Sequence, residues 1–433
     1  MHKYLIYNAL IIDEGKKFLG NILIEKDKIQ QIIKGDINPK SYPDYKIIDA
    51  TNKIVMPGVI DSHVHFREPG LTHKGDIYTE SRAALKGGTT TFIDMPNTLP
   101  PTTTIKLLEE KIKIAQNKSA INFLFYLAAT RENYKNLQHI DNEYLAGIKI
   151  FYGSSTGNLL LNDRQILNYL FKNQRHIYVI HSEEENIIRK QIKKYKNKEQ
   201  LPYDIHFRIR TPEAAITATK TLLEIAQKYN TKIHFLHIST EKEIQMLKNE
   251  PIDNKTITAE TTVNHLWFDK EDHKKLNNLI KVNPSLKEKK DKKAIQKAIK
   301  TNKIDTIATD HAPHLLSEKK QDYFQAPSGI PSIQYSLLML LELSKNNIIP
   351  IEIIPIKTAN NPAKIFNIEK RGFLRENYYA DIVIINPNKK TIVNKNNILY
   401  KCKWSPLEGY KFSHYIEYVF VNGKIKIDKG KFI

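Results

Sequence analysis

With 433 residues the chain can bury a large core and exceeds the usual size of one domain. Hydrophobic residues at 41% and charged residues at 26% predict a soluble globular protein, and no run of about 18 uncharged apolar residues is present to span a membrane. The formal net charge of +20 invites a nucleic-acid reading. The lysines, however, are spread over stretches of helical spacing (106–118, 189–200, 287–300), with no Arg-rich tract and no zinc-finger or RNA-binding signature. No nucleic-acid partner is predicted.

From the start of the chain, the first 17 residues lack a small-residue cleavage site and run into Asp13 and Glu14, so no secretory leader is expected. Residues 1–55 read as short strands joined by turns. From residue 56 an apolar strand-like run alternates with a helix-like stretch. The strands read as VIDSHVHF, TTTFIDMPN, INFLFYLAA, AGIKIFYG, HIYVIHSE, KIHFLHIST, TITAETTVN and DTIATDHAPH. Residues 102–116 and 211–229 between them have helical periodicity. Strands buried on both faces and alternating with helices imply a parallel sheet, and eight such units predict a (β/α)₈ TIM-type barrel. The region after 366 returns to short strands and contains the hairpin signal VNGK at 421–424. The predicted organisation is therefore a barrel over 56–365 with a small β-sandwich assembled from 1–55 and 366–433. The single cysteine, Cys402, allows no intramolecular disulfide, fits a reducing cytoplasm and reads as an inert small side chain.

Active sites of such barrels gather at the C-terminal ends of the strands. His63 and His65 end the first strand two residues apart, on one face. Arg67 continues that face, where a guanidinium suits a substrate carboxylate. Strand four supplies Lys149, strand five His181, strand six His237 and strand eight Asp310. Four of the 15 histidines, a lysine and an aspartate thus converge on one rim. A protonated ammonium has no lone pair and repels a metal. Carboxylated by carbon dioxide, Lys149 becomes a carbamate able to bridge two cations roughly 3.5–4 Å apart. The alternative is a barrel lysine paired with Asp310. Nitrogen and carboxylate donors suit Zn²⁺ best, with Mn²⁺ or Co²⁺ as substitutes.

The stretches DSHVHFREPG (61–70), HKGD (73–76), DMPNT (94–98), GIKIFYGSSTGN (147–158), HSE (181–183), HIST (237–240), VNPSL (282–286), DHAPH (310–314), PSGIP (327–331) and WSPLEG (404–409) cover nearly the whole barrel and part of the flank. In these the chain resembles the dihydroorotases of the amidohydrolase superfamily, in the bacterial class I type. The resemblance implies a metal-dependent cyclic amidohydrolase that interconverts N-carbamoyl-L-aspartate and L-dihydroorotate in pyrimidine biosynthesis. It implies one zinc on His63, His65 and Asp310, a second on His181 and His237, and N6-carboxylated Lys149 as the bridge. Asp310 takes the role of proton carrier. Substrate contacts fall on His65, Arg67, Asn97, Asn283 and His314, with Ser328 and Gly329 closing the site. Some family members bridge their metals with an aspartate from another loop, and Asp163 stands here in a poorly comparable context. An arginine stands in the animal branch where Asn283 does, so carboxylate binding leans on Arg67 and His314. Allantoinases and dihydropyrimidinases usually lack an arginine at the place of Arg67. The resemblance also implies a homodimer, and it admits an aspartate transcarbamoylase partner that no feature of the sequence supports.

Other residues read more plainly. His73 orders its loop, His234 faces away from His237 against a helix, and His311 turns away from Asp310 to orient its neighbours. Asp61 lies on the face of His63 but deeper. His265 stands near the seventh strand's end, in a structural role or behind the metal ligands. The polar loop 315–327 is either a lid over the substrate or a plain surface loop. Two rivals to the amidohydrolase reading of dihydroorotate are a sibling cyclic amidase, against which Arg67 and DHAPH speak, and a metal-free scaffold, against which all six candidate ligands speak.

Overall fold

The computed structural model describes residues 3–153 and 159–433. The end of the GIKIFYGSSTGN stretch, 154–158, lies outside the described residues. Eight strands, β6 (Val59–Val64), β7 (Thr89–Asp94), β8 (Asn122–Ala128), β9 (Leu145–Phe151), β10 (Tyr178–His181), β11 (Ile233–Phe235), β12 (Ile257–Thr262) and β13 (Thr306–Ala308), lie side by side in sequence order. All neighbouring pairs are parallel. His65 N–H donates to His311 O at 2.8 Å, and Val64 bridges His311, which brings the two edges together into a nearly closed barrel. The eight runs expected from sequence are these eight strands. Every residue of β6, β7 and β10 is buried, as a sheet covered on both faces requires.

The helices begin and end where local chemistry dictates. Asp76 and Thr79 form a capping box at the start of Ile77–Lys86. Thr211 caps Pro212–Tyr229, whose first position is proline and whose end is Asn230 in the left-handed region at φ 51°. The second helix of the barrel is Ile105–Lys118.

Both ends of the chain build one further sheet from β1 (Lys3–Asp13), β2 (Lys16–Glu25), β3 (Lys28–Lys34), β4 (Lys46–Asp49), β5 (Ile54–Pro57), β14 (Ile382–Asn386), β17 (Tyr415–Val421), β18 (Lys424–Asp428) and β19 (Lys431–Phe432). Its order is β19-β18-β17-β14-β5-β1-β2-β3, with β4 also paired to β1. The short strands β15 (Thr391–Ile392) and β16 (Lys411–Phe412) pair separately. Strand β5 runs across the expected boundary at 55/56 and lies between parallel β1 and antiparallel β14. A second core, including Ile6, Ile22, Val55, Ile384 and Phe420, fills this sheet apart from the barrel core. The β17–β18 hairpin turns at Asn422 and Gly423 with φ of 50° and 70°. A Cβ at Gly423 would meet Lys26 O at 2.0 Å, so only glycine fits. Among the described residues, no helix is long and apolar enough to cross a membrane.

One buried ion pair ties the helix layer to the mouth of the barrel. Lys111 Nζ lies 2.6 Å from Asp94 Oδ2 with both side chains fully buried, and it donates to Met95 O at 2.9 Å. Asp94 in turn accepts the Phe66 N–H at 2.8 Å, between His65 and Arg67. Lys111→Met leaves Asp94 a buried charge without its partner. The expected loss is about 3–5 kcal/mol of stability, read as a lower denaturant midpoint at unchanged slope. A variant as stable as the parent refutes this dependence.

Candidate active site

Three acceptor atoms meet at the barrel mouth. His63 Nε2 and His65 Nε2 lie 3.2 and 3.0 Å from Asp310 Oδ1, and ligand atoms of the three residues fall within 4.8 Å of one another. The other nitrogen of each ring fixes the tautomer. His63 Nδ1 donates to Glu260 Oε1 at 2.8 Å, and His65 Nδ1 pairs with Asn97 Oδ1 at 2.7 Å. Burial alone would raise the Glu260 carboxyl, but His63 and His234 outweigh it and hold it down at about 2, so it is an obligate acceptor. Burial pushes the His65 ring down to about 4, which keeps it neutral. The Nε2 atoms of both rings face the Asp310 carboxylate. Burial would also raise Asp310, yet His63, His65 and Lys149 hold it well below the usual carboxylate range. Lone pairs and a carboxylate at such close range are the donor set of a metal ion.

A second pair stands beside the first. His181 Nδ1 and His237 Nε2 share a hydrogen bond at 2.9 Å, and the His237 ring lies 5.5 Å from that of His63. His237 Nδ1 is buried and has no hydrogen bond among the described residues. His181 Nε2 is 3.1 Å from Glu183 Oε2, in an orientation that makes no hydrogen bond. Glu183 is itself ion-paired with Arg210. Burial raises the Glu183 carboxyl, and Arg210 and His181 bring it down to about 2. Lys149 is 1% exposed and lies over the Phe151 ring at 4.8 Å. Burial lowers its ammonium to about 7, against Asp310 and Glu260. It makes no salt bridge with Asp310 or any other carboxylate among the described residues, so the simple ion-pair alternative finds no support.

Arg67 closes the constellation on the outer side. Its Nε donates to Pro313 O at 3.1 Å and its Nη2 to His314 Nε2 at 3.0 Å. Its remaining N–H donors are available to the cavity that it lines. Burial, then Arg67, pushes His314 down to about 3, so the ring is neutral. Lys74 Nζ lies 3.0 Å from Glu318 on its far side. Asn283 Oδ1 is buried and has no hydrogen bond among the described residues. All the residues that the sequence brought forward line one cavity of about 240 Å³, except His314. His314 stands behind Arg67, because its ring is engaged by the guanidinium. Arg67, His237 and Asp310 adopt left-handed φ of 70°, 40° and 49°. That conformation costs a non-glycine residue roughly 1–2 kcal/mol, and such strain concentrates at functional sites.

Sequence reasoning passed over Glu260, Glu183 and Arg210. The signal for Glu260 was a charge inside a strand otherwise buried on both faces, and Glu183 stood in the HSE stretch without a role. His234 differs from expectation. Instead of leaning on a helix it is fully buried inside the barrel, bonded to Thr258 Oγ1 at 2.8 Å and 3.7 Å from Glu260. Alternation misleads there because β11 ends at Phe235 and the chain turns at His237. Asp61 accepts from Thr309 Oγ1 at 2.6 Å, joining the first strand to the last. His311 Nε2 pairs with Glu80 at 2.9 Å, His265 Nε2 donates to Pro284 O at 3.1 Å, and His73 is exposed. Burial pushes the Cys402 thiol up to about 12, leaving it unreactive. A larger crevice of about 970 Å³ opens at the opposite mouth of the barrel. Its Arg175, Lys255, Lys364 and Arg371 are paired with carboxylates, and no histidine set converges there among the described residues.

The Amidohydrolase family profile matches residues 54–426. A dihydroorotase of Methanosarcina acetivorans is 33% identical over 420 residues, covering 94% of this chain and 88% of the relative. One of Methanosphaera stadtmanae is 34% identical over 414 residues, with 94% and 92% covered. One of Fusobacterium nucleatum is 31% identical over 441 residues, with 98% and 99% covered. Among solved structures, an L-hydantoinase (dihydropyrimidinase) from Arthrobacter aurescens superposes with a TM-score of 0.93 at 23% identity, covering 100% of this chain and 98% of the other. A dihydropyrimidinase from Brevibacillus agri gives 0.90 at 21% identity, with 100% and 96% covered. At these identities the structural likeness is one of fold. With a family match over most of its length and full-length relatives named dihydroorotase, the chain belongs to the amidohydrolase family.

Proposed function

We propose that the protein is a dihydroorotase, interconverting N-carbamoyl-L-aspartate and L-dihydroorotate in pyrimidine biosynthesis in the cytoplasm. The observation that carries the reading is Arg67, a buried guanidinium held by Pro313 and His314 beside the acceptor cluster, in a chain aligned end to end with proteins of that name. The cytoplasmic setting rests on the single, buried cysteine.

His63, His65 and Asp310 would hold one Zn²⁺, and His181 and His237 a second, with N6-carboxylated Lys149 between them. The donor set fits: imidazole nitrogens, an ionised carboxylate, and a buried lysine whose lowered pKa leaves much of it as the neutral amine that can attack carbon dioxide. Bound there, the cations would lower the pKa of a water molecule and polarise the scissile carbonyl. The chain's own side chains do the rest. Arg67 grips the carboxylate of the substrate, with Asn97 and Asn283 reaching its polar edges from either side of the cavity. His314 acts through Arg67, fixing the plane of its guanidinium. Ser328 and Gly329 form one wall of the cavity. In the hydrolytic direction an oxygen of water adds to the ring carbonyl and the C–N bond breaks. Asp310 takes the proton released from the water and delivers it to the departing nitrogen. Glu260 keeps His63 in the orientation that ligation needs, and Glu183 stands against the His181 ring.

A hydantoinase-type activity is the second reading, favoured by the structural neighbours. A ring without a carboxylate gives Arg67 no partner, which sets this reading below the first. Purified protein assayed on L-dihydroorotate, with hydantoin, dihydrouracil and allantoin as competitors, decides between them. Dihydroorotate turnover with about two metals per chain is the expected result, whereas hydantoin or dihydrouracil as the preferred substrate sinks the proposal.

Arg67→Met should raise KM for dihydroorotate about 30-fold or more, the scale expected when a buried carboxylate is deprived of its guanidinium, while metal content stays at the parent level. An unchanged KM removes Arg67 from substrate binding. Dialysis against a chelator should abolish turnover, and added Zn²⁺ should restore it. Lys149→Ala, measured by elemental analysis, should retain fewer cations than the parent. Full metal content in that variant argues against a bridging lysine.

A further inference from the structure

One wall of the cavity, on the side of His314, is built from two segments, 281–287 and 315–329, which are joined by buried lysines. Lys319, 1% exposed, donates from Nζ to Pro327 O and Gly329 O at 2.9 Å each and to Lys281 O at 3.3 Å. Lys281, 7% exposed, donates to Tyr323 O and Ala326 O at 2.6 Å each and lies 4.1 Å above the Tyr323 ring. Gly329 N–H closes the junction on Lys281 O at 2.8 Å. His206, kept neutral by burial, donates from Nε2 to Val282 O at 2.7 Å and pairs through Nδ1 with the Tyr323 hydroxyl at 2.8 Å. Neither lysine has a carboxylate within salt-bridge distance among the described residues. Burying an ammonium is costly unless its donors are all met, and the barrel itself gains nothing from two such groups in its outermost loops. What they do provide is a fixed position for Asn283, Ser328 and Gly329, which line the cavity.

Resting on the dihydroorotase reading above, we propose that Lys281 and Lys319 are positioning residues for an anionic substrate. They preassemble the wall formed by 281–283 and 323–329, against which the substrate binds. The loop 315–327 is in this view a clamped wall, and binding requires no closure of it.

Lys319→Met and Lys281→Met, each purified as the metal-loaded full chain, test this by hydrogen exchange and steady-state kinetics. The expected result is faster exchange over 281–283 and 323–329 with parent-like metal content. KM for dihydroorotate should rise about tenfold or more, with kcat within about threefold of the parent. Unchanged exchange, or a fall in kcat at unchanged KM, overturns the proposal. If Lys319→Met does not fold, Lys281→Met carries the test through its bonds to Tyr323 and Ala326 alone. If neither folds, the lysines are determinants of the fold and the proposal is wrong. A parent enzyme inactive on dihydroorotate defeats the functional reading instead, while the exchange measurement still reports on the clamp.

Discussion

The acceptor cluster of His63, His65 and Asp310 is the constraint on which the rest of the site depends. Two imidazole nitrogens and a carboxylate oxygen are crowded together there, and the fold uses several buried charges to keep them so. Glu260, on the seventh barrel strand, orients a histidine on the first and also accepts from Ser62 Oγ at 2.8 Å. Asp61 binds the last strand to the first through Thr309. These bonds run across the barrel interior, so the ligand geometry is set by the closure of the whole sheet rather than by any single loop.

The outer half of the site has different physics. Arg67, Lys281, Lys287, Lys319 and Arg210 are all buried basic side chains, against few carboxylates. Lys287 and Ser285 both donate to Arg210 O at 2.8 Å, carrying the same backbone-clamping chemistry inward. A barrel of this shape is shared with hydantoinases and dihydropyrimidinases. In such a fold the side chains at the rim can change without moving a strand.

Much of this was legible in the sequence, for a physical reason. Strand runs with alternating helices determine a parallel barrel, and the barrel determines that residues at strand ends meet. Positions such as His63, His181 and Asp310 could therefore be brought together without coordinates. The pairings across the barrel could not. Glu260 meets His63 at a sequence distance of 197 residues, and nothing local marks that contact. Lysines escaped for the opposite reason: their heads normally reach solvent, so 315–327 read as a polar loop although Lys319 is among its most buried side chains. His234 was misplaced because strict alternation holds only while the chain remains a strand.

The terminal sheet has a consequence for the order in which the molecule is made. Strand β5 has β1 on one side and β14 on the other, and β14 pairs in turn with β17. During vectorial synthesis β1 to β5 emerge early and complete only half of their sheet, while β14 and β17 follow after the entire barrel. Until then the β5 edge offers unpaired backbone donors and acceptors to solvent. Strands made before the barrel are thus among the last to find their final neighbours, and the barrel must hold the open edge apart from other nascent chains during the wait.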